Sequence, residues 1–166
     1  TTDELRTLAM RFGVRVVGAR TDVSRAEEVD ALAERVVREL GGVHLVCNNA
    51  GVSPLGPVWE SSVADWQWVL GVNLWGAIHG VRAFVPRLIA QDEGHIVNTA
   101  SMAGLLNPPT MGIYNVSKHA VVSLSETLYH DLSLVEAPIG ASVLCPYFVQ
   151  TGISQSHRHR PDDVQP

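Results

Sequence analysis

The run Gly94-His95-Ile96-Val97-Asn98-Thr99-Ala100-Ser101, followed by a loop at residues 102–110 and then by Tyr114-Asn115-Val116-Ser117-Lys118, decides the fold. A short apolar run that stops on small and polar residues reads as a buried strand. Pro108-Pro109 make the next segment a loop, and a helix carries Tyr114 and Lys118 on to about Val135. Working outward, the same unit recurs. Upstream lie a long helix at about 63–91, a Gly- and Pro-rich loop reaching about Ser62, and a short strand at 43–47. Ser24-Arg25-Ala26-Glu27 has the form of a capping box and opens a helix closed by Gly41-Gly42. Its apolar residues Val29, Leu32, Ala33, Val36, Val37 and Leu40 fall at helical spacing. Residues 2–12 read as a helix and 14–19 as a strand, and downstream 139–144 give a fourth strand stopped by Pro146. Strands that are continuous apolar runs, alternating with helices, predict an α/β fold: a parallel sheet with helices on both faces.

Composition narrows the function. Apolar residues make up 46 % and charged residues 17 %, which describes a globular chain and excludes a disordered one. A net charge of −5 and the lack of a basic run argue against nucleic acid. The one basic cluster, His157-Arg158-His159-Arg160, reads as a solvated tail rather than a metal or phosphate site. Cys47 and Cys145 each end an apolar run and read as buried small hydrophobes, not a disulfide or metal pair. Residues 68–90 are apolar, but Asn73, His79, Arg82, Pro86 and Arg87 would be costly in lipid, so no membrane span is expected. With no oxidising compartment required, the expected location is cytoplasmic.

The strand ends carry the chemistry. Ligands of parallel sheets bind beyond the carboxyl ends of the strands. Those ends read Thr21-Asp22-Val23, Asn48-Asn49-Ala50-Gly51, Ala100-Ser101 and Pro146-Tyr147. Tyr114 and Lys118, four apart, share a helical face. An unperturbed phenol titrates near pH 10, and a fixed ammonium beside it would lower that value toward working pH. Ser101 could hold a carbonyl or alcohol oxygen against the phenol. Taken singly, Asn73 could relieve a helix kink, Ser101 could end a strand and Asp22 could sit in a turn; their joint occurrence favours a proton-transfer site.

With those residues in place, the chain resembles the short-chain dehydrogenase/reductase family over nearly its whole length. Asp22-Val23 is similar to the family's adenine-contacting pair, and Asn48-Asn49-Ala50-Gly51 to its Asn-Asn-Ala-Gly motif. Asn73, Ser101, Tyr114 and Lys118 match its catalytic tetrad in order. The resemblance implies a Rossmann-like doubly wound sheet, NAD or NADP as cofactor, and hydride transfer to or from a secondary alcohol or ketone. Tyr114 would be the general acid or base. Lys118 would hold the nicotinamide ribose, Ser101 would orient the substrate, and Asn73 would support a water linking Lys118 to solvent. Asn49, Ala50, Gly51, Pro146, Val149 (at the carboxamide) and Thr151 (near the phosphates) would complete the cofactor contacts. A homodimer or homotetramer is also implied, with Gly76 and Gly80 allowing either close helix approach between subunits or internal packing.

Two departures stand out. Pro146-Tyr147 replaces the family's Pro-Gly, which puts a side chain beside the nicotinamide site. The glycine-rich phosphate turn of the family is missing from the sequence. Residues 1–166 therefore read as a single Rossmann-like domain lacking two N-terminal strands and a C-terminal strand, part of a longer chain. The alternative is a non-catalytic oligomeric scaffold of the same fold. Met102, Leu105, Leu106, Pro108, Pro109 and Met111, with Pro54 and Leu55 opposite, suggest a small apolar alcohol or ketone as substrate.

Overall fold

Three short apolar runs supply the sheet. The computed structural model describes residues 2–161. Strands β1 (Leu45–Asn48), β2 (His95–Thr99) and β3 (Gly140–Leu144) are parallel and lie in the order β1-β2-β3. Leu45 pairs with His95 and His95 with Gly140, so all three chains reach their carboxyl ends together. Helix α1 spans Thr2–Phe12, α2 Ala26–Leu40, α3 Val63–Leu70, α4 Gly76–Ala90 and α5 Gly112–Leu134. The largest core cluster joins Val29 and Ala33 of α2, Phe84 and Leu88 of α4, Val46, Ile96 and Leu132. Burial of this kind contributes roughly 1.5–3 kcal/mol per large side chain.

A polar line crosses that core. Asn48 Nδ2 donates to Asn98 Oδ1 at 2.8 Å, and Asn98 Nδ2 donates to Ser125 Oγ at 3.0 Å. Asn98 is wholly buried, so each amide needs these partners. The line ties β1 to β2 and β2 to α5. Gly80 lies against Asn48: a Cβ there would come within 2.0 Å of Asn48 Oδ1, and one at Gly76 within 2.8 Å of Val23 Cγ2. Internal packing accounts for both glycines.

The structure corrects several expectations. Residues 14–19 form no strand; they run exposed along α2, where Arg15 donates to Glu39 O and Arg35 to Gly18 O. An isolated extended run without a paired neighbour has no ladder to stabilise it. Ser24 does not cap α2: its N and Oγ donate to Asp22 Oδ1 at 3.0 and 2.7 Å, and Arg25 takes the cap position without a side-chain bond. The nearer carboxylate wins. The long helix is continuous in direction but holds a π turn at Gly71–Trp75 between α3 and α4. Cys47 is exposed on β1, the strand at the sheet's open edge, rather than buried, and Cys145 is half-buried. Gly41 closes α2 as expected, left-handed at φ 90 with its N–H bonded to Val37 O. Among the described residues no helix is long and apolar enough to cross a membrane.

Candidate active site

The site forms where β1 and β2 end and α5 begins. The loop after β2 makes one 3-10 turn, Met102–Gly104, which Ser101 caps by accepting from Ala103 N at 3.1 Å. That turn lies on α5 closely enough that a Cβ on Gly104 would stand 2.7 Å from Lys118 O. The contact brings the Ser101 hydroxyl close enough to act on the Tyr114 phenol. Tyr114 is 7 % exposed. Burial raises its phenol above the ordinary value, and the Ser101 hydroxyl partly offsets this.

Lys118 is 2 % exposed, and its Nζ lies 5.6 Å from the Tyr114 ring centre. Nζ donates to Thr99 O at 2.8 Å; among the described residues that carbonyl is its one hydrogen-bond acceptor. Desolvation lowers its pKa to about 8, so it is still mainly the ammonium at neutral pH. The expected lowering of the phenol by Lys118 is absent here, because burial dominates and Nζ is turned to Thr99. An ammonium with unfilled donors beside a phenol fits a diol acceptor such as a ribose. Gly51 brings the turn after β1 against the ammonium, since a Cβ there would meet Lys118 Nζ and Asn73 Oδ1 at ordinary contact distance, both 3.6 Å.

This buried ammonium predicts a pH effect. A base whose folded pKa is depressed costs stability below that pKa, and the cost fades as pH rises to the unfolded value of 10.5. The cost is about 3 kcal/mol at neutral pH. Without added cofactor, the protein should gain resistance to urea between about pH 8 and about pH 10, and Lys118→Met should lose that pH-dependent gain. Denaturation midpoints across that range check it; parallel pH slopes in both proteins would contradict it.

Asn73, 2 % exposed, sits in the π turn and works as a clasp. Its Oδ1 accepts from Val52 N at 2.8 Å, and its Nδ2 donates to Val52 O and Ser117 Oγ, both at 3.0 Å. It thus binds the turn after β1 to the helix bearing Lys118. π turns recur at functional positions in helices.

Other expected site residues lie near this group or apart from it. Asn49 and Ala50 are exposed at the end of β1. Pro146 joins the site, as its carbonyl accepts from Met102 N at 3.0 Å. Tyr147 is 68 % exposed, its ring edge-on to Phe148 at 5.0 Å. Val149 is exposed, and the Thr151 hydroxyl accepts from Ile153 N at 3.3 Å. Asp22 is exposed with its carboxylate held by Ser24, and Val23 is fixed by its carbonyl to His79 Nδ1 at 2.9 Å. Sequence reasoning missed Ser117, though it lies inside the quoted Tyr-to-Lys run, and the backbone of Thr99 and Val52, which no side-chain motif announces. It also mistook Arg160 for part of a solvated tail: the residue ion-pairs with Asp65 and lies 5.6 Å over the Trp68 ring.

Fold and site together define a doubly wound, Rossmann-like α/β protein. The chain belongs to the short chain dehydrogenase family, whose profile matches residues 2–162. It is 35 % identical over 150 residues to a CLA biosynthesis dehydrogenase/reductase of Lactiplantibacillus plantarum, a match covering 90 % of this chain and 52 % of that protein. A short chain dehydrogenase/reductase from Burkholderia phymatum, solved in complex with NAD, superposes with a TM-score of 0.96 at 54 % identity, covering 99 % of this chain and 59 % of that one. A gluconate 5-dehydrogenase from Burkholderia cenocepacia, solved with NADP and tartrate, gives a TM-score of 0.82 at 28 % identity over 93 % of this chain and 61 % of that one. The chain thus spans about half the length of the first curated relative.

Proposed function

We propose that this chain carries the catalytic part of an NAD- or NADP-dependent oxidoreductase that interconverts a small apolar secondary alcohol and its ketone. The observation that carries the reading is the Ser101–Tyr114–Lys118 group at the strand ends, with Tyr114 and Lys118 buried. A nicotinamide supplies the hydride acceptor or donor. Tyr114, whose proton burial holds more firmly than usual, gives that proton to the ketone oxygen in reduction and takes it back in oxidation. Ser101 holds that oxygen beside the phenol and donates to it as charge develops. Lys118 offers its unfilled donors to the ribose hydroxyls. Asn73 keeps the Gly51 turn at the distance from Lys118 that this requires. Asn49, Ala50, Pro146, Val149 and Thr151 belong to the cofactor surface in this reading, as do Asp22 and Val23 at the adenine end.

The half-buried Met102 and Met111 and the exposed Leu55, Leu105 and Leu106 support an apolar substrate. The exposed Trp75 and Val116 on the two long helical segments support a homodimer or homotetramer, and a cytoplasmic location completes the reading. The test is turnover: the purified intact protein, given NAD+ or NADP+ and a panel of apolar secondary alcohols, should form reduced nicotinamide. A protein that associates with itself yet neither binds nor reduces either dinucleotide would instead be the scaffold.

A further inference from the structure

We propose that Arg160 is a latch: it docks residues 147–160 as a strap across the catalytic group and thereby positions the substrate. The kinetic half of this rests on the dehydrogenase reading. The strap leaves the sheet beside Ser101, where Pro146 O accepts from Met102 N. Its first residues, Tyr147 to Gln150, are exposed and touch little. It then turns in a 3-10 segment, Gly152–His159, capped by Thr151. Ser156, buried in that segment, accepts from Ser53 N at 3.1 Å. Ser53 follows Val52, the residue that Asn73 clasps. The strap therefore starts beside Ser101 and lands beside Val52, which Asn73 ties to the helix of Tyr114 and Lys118.

Arg160 supplies the second fastening. Its guanidinium pairs with Asp65 and stacks over Trp68, the two charged side chains being 20 % and 11 % exposed. Asp65 Oδ2 accepts from Ser62 N and Oγ at 3.0 and 2.7 Å, so one carboxylate starts α3 and holds the strap. Trp68 packs with Val52 and with Ile113, the neighbour of Tyr114. A half-buried charge that loses its partner stays desolvated without compensation, so breaking the pair favours the undocked strap. Docked, the strap walls the space above Ser101 and Tyr114; undocked, it leaves the catalytic side chains in place but the substrate less confined.

Limited trypsin digestion of the intact protein reads the latch directly, through the peptide ending at Arg158; the next arginine precedes Pro161, a bond trypsin leaves alone. Cleavage after Arg158 follows the population of the open strap. Arg160→Met should speed it by about tenfold or more, and Asp65→Asn, which keeps acceptors for Ser62, should do the same. The double variant should be no faster than either single one, because each removes the same contact. In turnover, Arg160→Met should raise the substrate KM about tenfold and leave kcat within about twofold. Unchanged cleavage, or single effects that multiply in the double variant, would overturn the latch. Faster cleavage at constant KM would overturn its positioning role. A protein with no turnover at all would defeat the dehydrogenase reading, and the digestion would still decide the latch.

Discussion

Tyr114→Phe should abolish most turnover while leaving the protein folded. The ring stays in its buried slot, so packing is unchanged and the protein should fold as before. In the proposed mechanism, what disappears is the proton carrier at the substrate oxygen. Positioned proton transfer contributes about 10² to 10⁴ in rate, and no second titratable side chain is described at the Ser101 hydroxyl that could replace the phenol. The expected result is a fall in kcat of about three orders of magnitude, with the cofactor dissociation constant within about threefold. Steady-state kinetics beside a fluorescence titration of the reduced nicotinamide would read both. A variant retaining more than a tenth of the activity would move the acid–base role to another group.

Gly104→Ala should damage stability and catalysis together. The Cβ would stand 2.7 Å from the carbonyl oxygen and 2.9 Å from the carbonyl carbon of Lys118, which is backbone and cannot rotate away. Either the 3-10 turn or α5 must retreat by several tenths of an ångström. Overpacking of this kind costs about 1–3 kcal/mol. The retreat also separates Ser101, on the turn, from Tyr114, on the helix, and misplacement on that scale can lower kcat/KM by about 10²-fold. Thermal melting and kinetics on the one variant check both effects. Wild-type turnover would mean that the turn and the helix do not set the catalytic geometry.

The local unit was legible and the long-range fastenings were not. β2, the Met102–Gly104 loop and the head of α5 are consecutive in the chain, so apolar patterning and two prolines sufficed to bring Ser101, Tyr114 and Lys118 to one edge. Residues 14–19 carry the composition of a strand, yet strand formation belongs to a pair of segments, and patterning cannot report a missing neighbour. The Ser24 box failed for a similar reason: Asp22, two residues away, competed for the same hydroxyl. Arg160 looked like tail because its partner lies 95 positions earlier and charge alone does not say where a side chain will land. The Tyr114 phenol went the opposite way from expectation because spacing gives proximity to an ammonium but not depth of burial.

The π turn at Gly71–Trp75 has an evolutionary corollary. Such a turn amounts to one residue inserted into an α-helix, and it sets Asn73 facing Val52 and Ser117. Deleting a single residue from it would let α3 and α4 fuse into a more regular helix, but would rotate the two halves by about 100° relative to one another. Asn73 and the Arg160-binding surface of α3 could then no longer both face inward. Exposed positions of this helix such as Val63 and Trp75 tolerate substitution on this account, whereas a change in the count of residues between Asp65 and Gly80 does not.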